Sequence, residues 1–252
     1  MVLLCISICF SQEKKIGVGY DNQVNAETYL KIISFNIVCS GIDQCKEYLA
    51  LGYKPEDIRV SIGDEWNNDI DTALAYGITE FFIDEPIRSN KQKVTMAIAT
   101  FLMTKPEYKQ GKITLTLSES EFLPTILFKL GWKGNIGELV HLARSLPFMP
   151  QLSCHTHWDS GWWSFKLFDT YFFYCDPRVQ FDWLKENFPD NFDRVWIGYD
   201  EDKEQKELIF QELNELKVHQ ILIFPYFDGQ LKYDYHGMVD DIELAKQYGW
   251  LK

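Results

Sequence analysis

Carboxylates close three β-rich runs of this chain: Ile58–Trp66 (IRVSIGDEW), Phe81–Pro86 (FFIDEP) and Arg194–Asp202 (RVWIGYDED). Gathered in a partly dry cleft, such groups take different pKa values, so one stays protonated as an acid while another stays ionised as base or nucleophile. Glycoside cleavage requires that division of roles. The same residue types, joined by histidine, also ligate divalent metals. A fourth run supplies the histidines, His155 and His157, and leads directly into Trp158.

The elements that must position these residues are short β-branched or aromatic runs. They are Lys15–Asp21, Phe35–Ser40, Ile58–Glu65, Thr79–Asp84, Ile113–Ser118, Gln151–His157, Thr170–Asp176, Arg194–Asp200 and His219–Tyr226. Helix-like stretches lie between most of them, the clearest over Ile42–Leu51, Asn68–Tyr76, Lys91–Met103, Arg178–Asn187, Glu201–Leu216 and Met238–Tyr248. Gly52, Gly77 and Gly249 follow three of these helices in similar phrases (LALGY, LAYGI, KQYGW), as the left-handed residue that ends a helix. Repeated strand, helix and glycine turn mean parallel strands joined by crossover helices. No G-x-G-x-x-G opens a helix after the first strand and no GK[ST] loop occurs, so a nucleotide-binding open sheet is disfavoured and no organic cofactor is expected. The expected fold is an α/β barrel with eight strands, which leaves one of the nine runs, Thr170–Asp176 or Phe35–Ser40, outside it.

Alternation along each strand divides the side chains between helices and lumen. Val60 and Ile62, Phe81 and Ile83, Leu115 and Leu117, and Val195 and Ile197 form the apolar, helix-facing phase. The opposite phase is small or polar and ends on residues capable of chemistry. Asp21, Glu65, Asp84, His155, His157 and Asp200 are therefore expected to ring one cavity, with Glu85 and Glu201 on its rim. Asp64, Glu201 and Asp202 are equally explained as caps of following helices. Pro86 delays the next helix to about Ser89 or Asn90, so capping explains Asp84 and Glu85 less well. Trp66, Trp158, Trp162, Trp163, Tyr20, Tyr199 and Tyr226 stand near strand ends, where aromatic faces beside carboxylates suit a carbohydrate.

Asp84, Glu85 and Pro86 on the fourth strand, with Asp200 or Glu201 on a late one, resemble the pattern of the (β/α)8 TIM-barrel glycoside hydrolases. That family carries an acid/base Glu before Pro at the end of strand four and a second carboxylate at strand seven. Its usual Asn-Glu-Pro is Asp-Glu-Pro here, and the inward late residue is Asp200 where the family has Glu. The resemblance implies Glu85 as acid/base, Asp200 as nucleophile or base, and Asp84, Glu65 and His155 positioning the sugar. Asp21, Trp66, His157, Trp158 and Tyr226 complete the expected substrate contacts. Two alternatives stand beside it: a divalent-metal-dependent barrel enzyme (sugar isomerase, deacetylase or hydrolase type) built on the Asp/Glu/His ring, and a non-catalytic carbohydrate-binding barrel. His-Thr-His matches neither the polysaccharide deacetylase spacing nor a complete amidohydrolase set.

The 252 residues, 46% of them hydrophobic and without a Pro/Gly/Ser-rich linker, suit one domain over residues 12–252. A formal charge of -12 argues against nucleic acid as a partner, because phosphate binding draws on clustered Lys and Arg. The apolar run MVLLCISICFS over residues 1–11 is too short to span a bilayer and reads as the core of a secretory signal, placing the protein outside the cell or in a periplasm. Pairing of Cys39 with Cys45, or of Cys154 with Cys175, and buried free thiols are both compatible with the spacing.

Overall fold

The computed structural model describes residues 15–19, 37–63, 65–87, 91–120, 125–156, 177–188, 192–197, 220–223, 227–228, 232–233 and 243–249, with single helical residues at 207, 210, 211 and 214. Eight parallel strands close into a barrel in sequence order: β1 (Lys15–Gly19), β2 (Ile37–Ser40), β3 (Ile58–Ser61), β4 (Glu80–Asp84), β5 (Thr114–Ser120), β6 (Gln151–Thr156), β7 (Phe192–Ile197) and β8 (Gln220–Ile223). Closure runs through the pairing of Lys15 with Gln220, so no sheet edge is left open. Helices α1 (Ile42–Ala50), α2 (Trp66–Ala75), α3 (Gln92–Met103), α4 (Pro106–Lys109), α5 (Thr125–Lys129), α6 (Gly134–Ser145) and α7 (Pro177–Asn187) belong to the crossovers. Strands β9 (Phe227–Asp228) and β10 (Lys232–Tyr233) form a small antiparallel pair of their own. The barrel needs Phe35–Ser40, whose end is β2, and closes without Thr170–Asp176, which lies outside the described residues.

Ile58 and Val60, Phe81 and Ile83, Leu115 and Leu117, and Leu152 share a buried cluster with helix residues such as Ile70, Ala73, Ile98, Leu102, Leu139 and Ala143. Each fully buried Ile, Leu or Phe contributes about 1.5–3 kcal/mol, so this shell between sheet and helices is where the fold's apolar stabilisation resides. Glycine stops the helices as the sequence phrases imply. Gly52 at φ +97° donates to Leu49 O while Tyr53 donates to Tyr48 O. Gly77 at φ +80° and Ile78 repeat the same pair of bonds on Leu74 and Ala73.

Cys45 is a free thiol, fully buried in that shell, and donates to Gly41 O at 3.6 Å. Burial first, then the charges of Asp43 and Asp69, push its pKa up to about 12. Because the thiolate is the reactive form, iodoacetamide at neutral pH is expected to leave Cys45 unmodified in the folded protein and to alkylate it after denaturation. Mass spectrometry of its peptide reads the difference, and native-state labelling would contradict this placement. No helix among the described residues is long and apolar enough to cross a membrane.

Candidate active site at the mouth of the barrel

Strand register sorts the lumen into rows. Arg59, Glu80 and Thr114 lie in one row near the amino ends of their strands. Ser61, Phe82, Thr116 and Gln151 form the next, then Asp84, Ser118 and Ser153. Residues on both sides of Arg59 and Phe82, and Leu117 before Ser118, belong to the helix-facing cluster, which places these three on the opposite, interior face. At the floor, Arg59 is 1% exposed and forms an ion pair with Glu80, Nε to Oε1 at 2.5 Å. Phe82, also buried, separates that pair from the upper row. Asp84 thus stands at the carboxyl end of β4 above an aromatic plug, beside a buried Ser118. An α/β barrel keeps its chemistry at this end.

The chain then turns sharply. Glu85 has φ +46°, the sole non-glycine positive φ among the described residues. A left-handed conformation costs an L-residue about 1–2 kcal/mol. A following proline, here Pro86, also favours an extended residue before it. Such strain persists only where neighbours over-determine it, and it gathers at functional sites. The neighbours are on β5: Glu85 N–H donates to Ser118 O at 2.8 Å, and Ile87 N–H donates to Glu119 Oε2 at 3.1 Å. Glu119 is fully buried.

On the β3 side, the strand ends at Ser61, so the alternation expected to carry Glu65 into the lumen stops short of it. Glu65 is exposed and is the N-cap residue of α2, where its carbonyl accepts from Asn68 and Asp69 N–H; its side chain makes no cap bond. Trp66 opens α2 and sets its ring edge-on to Phe101 of α3, with centroids 5.3 Å apart, so the indole is used in helix packing. Asp69 comes to the strand end instead, accepting a hydrogen bond from Gly63 N–H. Burial raises its pKa most; the Gly63 bond opposes this, and the charges of Glu65 and Asp43 add to it. Asp43, Glu65 and Asp69 therefore bring like charges together beyond the end of β3, the neighbour of the strand that ends on Asp84.

His155 lies in β6, in register with Ser120 of β5 and Trp196 of β7. Asp21, His157, Trp158, Asp200 and Tyr226 fall outside the described residues. Among the described residues, no three His, Cys, Asp or Glu side chains are grouped to hold a metal ion.

Glu119, Arg59 and Asp69 were not singled out from sequence. Glu119 interrupts the apolar phase of Leu115 and Leu117, and Arg59 precedes the small lumen residue Ser61. A charged residue in an otherwise apolar or lumen-facing phase is the signal that identifies both, since its burial demands a partner.

No family model and no curated protein matches the sequence. Solved structures do match in fold. A sugar phosphate isomerase/epimerase from Parabacteroides distasonis superposes with a TM-score of 0.56 at 13% identity, covering 97% of this chain and 99% of that one. An archaeal fructose 1,6-bisphosphate aldolase gives 0.55 at 12%, covering 94% and 95%. Triosephosphate isomerase from Bartonella henselae gives 0.51 at 12%, covering 92% and 99%. At such identities the likeness establishes the TIM-type (β/α)8 barrel as a fold, and a shared fold does not carry a shared reaction. These neighbours are isomerases and an aldolase, so the expected kinship to barrel glycosidases holds for the barrel alone.

Proposed function

We propose that this chain is a barrel enzyme acting on a sugar by proton transfer, of isomerase or epimerase type, with Asp84 and Glu85 as its proton-handling carboxylates. The observation that carries this reading is the left-handed Glu85, clamped to β5 directly after Asp84 at the carboxyl end of β4. Isomerisation of a sugar moves a proton between neighbouring carbons beside a carbonyl, and a positioned carboxylate is suited to that task. Two carboxylates on one strand end can serve adjacent atoms of one small substrate. Glycoside cleavage instead needs carboxyl groups on either side of the scissile bond. The sugar-directed chemistry in the names of the fold neighbours supports the same direction.

The acidic mouth also bears on the substrate. A phosphate brought beside Asp43, Glu65 and Asp69 meets like charge, and the chain carries a net -12. An uncharged sugar is the better match. Glycoside hydrolysis remains the second reading, favoured by the Asp84-Glu85-Pro86 sequence. A divalent metal held by His155, His157, Asp200 or Asp21 is the form in which a metal-dependent isomerase would fit.

A panel of neutral aldoses and ketoses, their phosphates and neutral oligosaccharides separates these readings. Interconversion of neutral monosaccharides in preference to their phosphates is expected. Release of new reducing ends from oligosaccharides without interconversion would return the assignment to glycoside cleavage. Stoichiometric metal with loss of activity on chelation would add the metal.

A further inference from the structure

The geometry points to Glu119 as a positioning residue that holds Glu85 in its left-handed conformation from behind, through the backbone of Ile87. This inference rests on the reading of Glu85 as a proton-handling group, but its structural half is testable without it.

Glu119 follows Leu115 and Leu117 in the helix-facing phase of β5, where packing alone calls for an apolar side chain. It is nevertheless a carboxyl group at 0% exposure. Burying such a group is costly unless it is hydrogen-bonded, so its partners indicate why it is tolerated. One of them is Ile87 N–H, at 3.1 Å in a buried setting.

The position of that bond in the chain gives it a consequence. Glu85 N–H is spent on Ser118 O, the last rung of the β4–β5 pairing. Pro86 has no N–H to offer. Ile87 is therefore the first residue after the turn that can anchor the backbone, and Glu119 takes its donor. Consecutive residues of β5 thus grip both sides of Glu85, Ser118 before the turn and Glu119 after it. With the second grip removed, the turn loses its anchor after Pro86, which favours relaxation of Glu85 toward the extended backbone that an L-residue before proline prefers. Its carboxylate would then leave the place that the turn gives it. A shift of about 1 Å is enough to cost 10²-fold in rate.

Three variants test this. Glu119→Gln keeps a carbonyl acceptor of the same length, Glu119→Ala removes it, and Glu119→Met removes it while filling the apolar site if the alanine variant fails to fold. Amide hydrogen exchange at Ile87 is read first. It is expected to quicken by about tenfold or more in the Ala or Met variant, to stay near wild type in the Gln variant, and to leave Phe81 and Ile83 protected. Turnover is read second on the sugar that the wild-type enzyme accepts, with kcat expected to fall by about tenfold or more, KM little changed, and Gln close to wild type. Unchanged exchange at Ile87 in the variants lacking an acceptor would overturn the clamp. Quickened exchange with undiminished kcat would overturn its positioning role. If Glu85 itself proves dispensable, the proposed function fails while the exchange result stands on its own.

Discussion

Glu85→Gln lowers turnover by about 10²–10⁴-fold, the range typical of a lost general acid or base, while the barrel stays folded. The substitution is nearly isosteric and leaves the Glu85 and Ile87 backbone bonds in place while removing the titratable carboxyl group. Stability is expected to change by about 0.5 kcal/mol or less. Glu85→Gly is the informative companion. It also abolishes the carboxylate but suits φ +46°, so it should be more stable than the Gln variant by up to about 1 kcal/mol, after subtraction of the extra chain entropy of glycine. An inactive enzyme that gains stability on losing one side chain is the signature of strain kept for function. Melting curves and steady-state rates on the two variants read both effects; equal activity of Glu85→Gln and wild type would remove Glu85 from the chemistry.

Glu80→Ala is expected to be the most damaging single change to the fold, at about 3–5 kcal/mol, because it strands the Arg59 guanidinium in the lumen. Arg59 is 1% exposed, and its Nη1 has no hydrogen-bond partner among the described residues, so Glu80 supplies its compensating charge there. Breaking one half of a buried pair costs more than replacing both halves. The double variant Arg59→Met with Glu80→Met should therefore recover most of the loss. Denaturant midpoints across the single and double variants provide the cycle. A Glu80→Ala protein as stable as wild type would mean that the floor of the barrel is hydrated and the pair unimportant.

The barrel was legible because its signals are local and repeated. Short β-branched runs, glycines at Gly52 and Gly77, and the alternation that put Phe81 and Ile83 against helices all reappear in the structure. What the sequence does not mark is where a strand stops. Alternation read through IRVSIGDEW assigns Glu65 to the lumen, but β3 ends at Ser61, Ile62 N–H makes one further bond to Phe82 O, and Glu65 is already the N-cap of α2. Trp66, an aromatic just past a strand end, opens α2 and packs its ring on Phe101, a contact that the sequence does not mark. The clamp at Glu85 was invisible for another reason. Nothing in FFIDEP announces a positive φ at Glu85, because the bonds that hold the turn come from Ser118 and Glu119 on β5, far along the chain. Pro86 drew attention to Asp84 and Glu85 in the sequence, while the bonds that hold their turn come from another strand.

Running the reaction in D2O tests proton transfer on a neutral sugar most directly. Wild-type enzyme should place solvent deuterium on the carbon beside the carbonyl as substrate converts, visible as loss of that proton signal by NMR, and Glu85→Gln should do so about 10²–10⁴-fold more slowly. Conversion without any solvent hydrogen incorporation, or exchange at the wild-type rate in Glu85→Gln, would contradict the account.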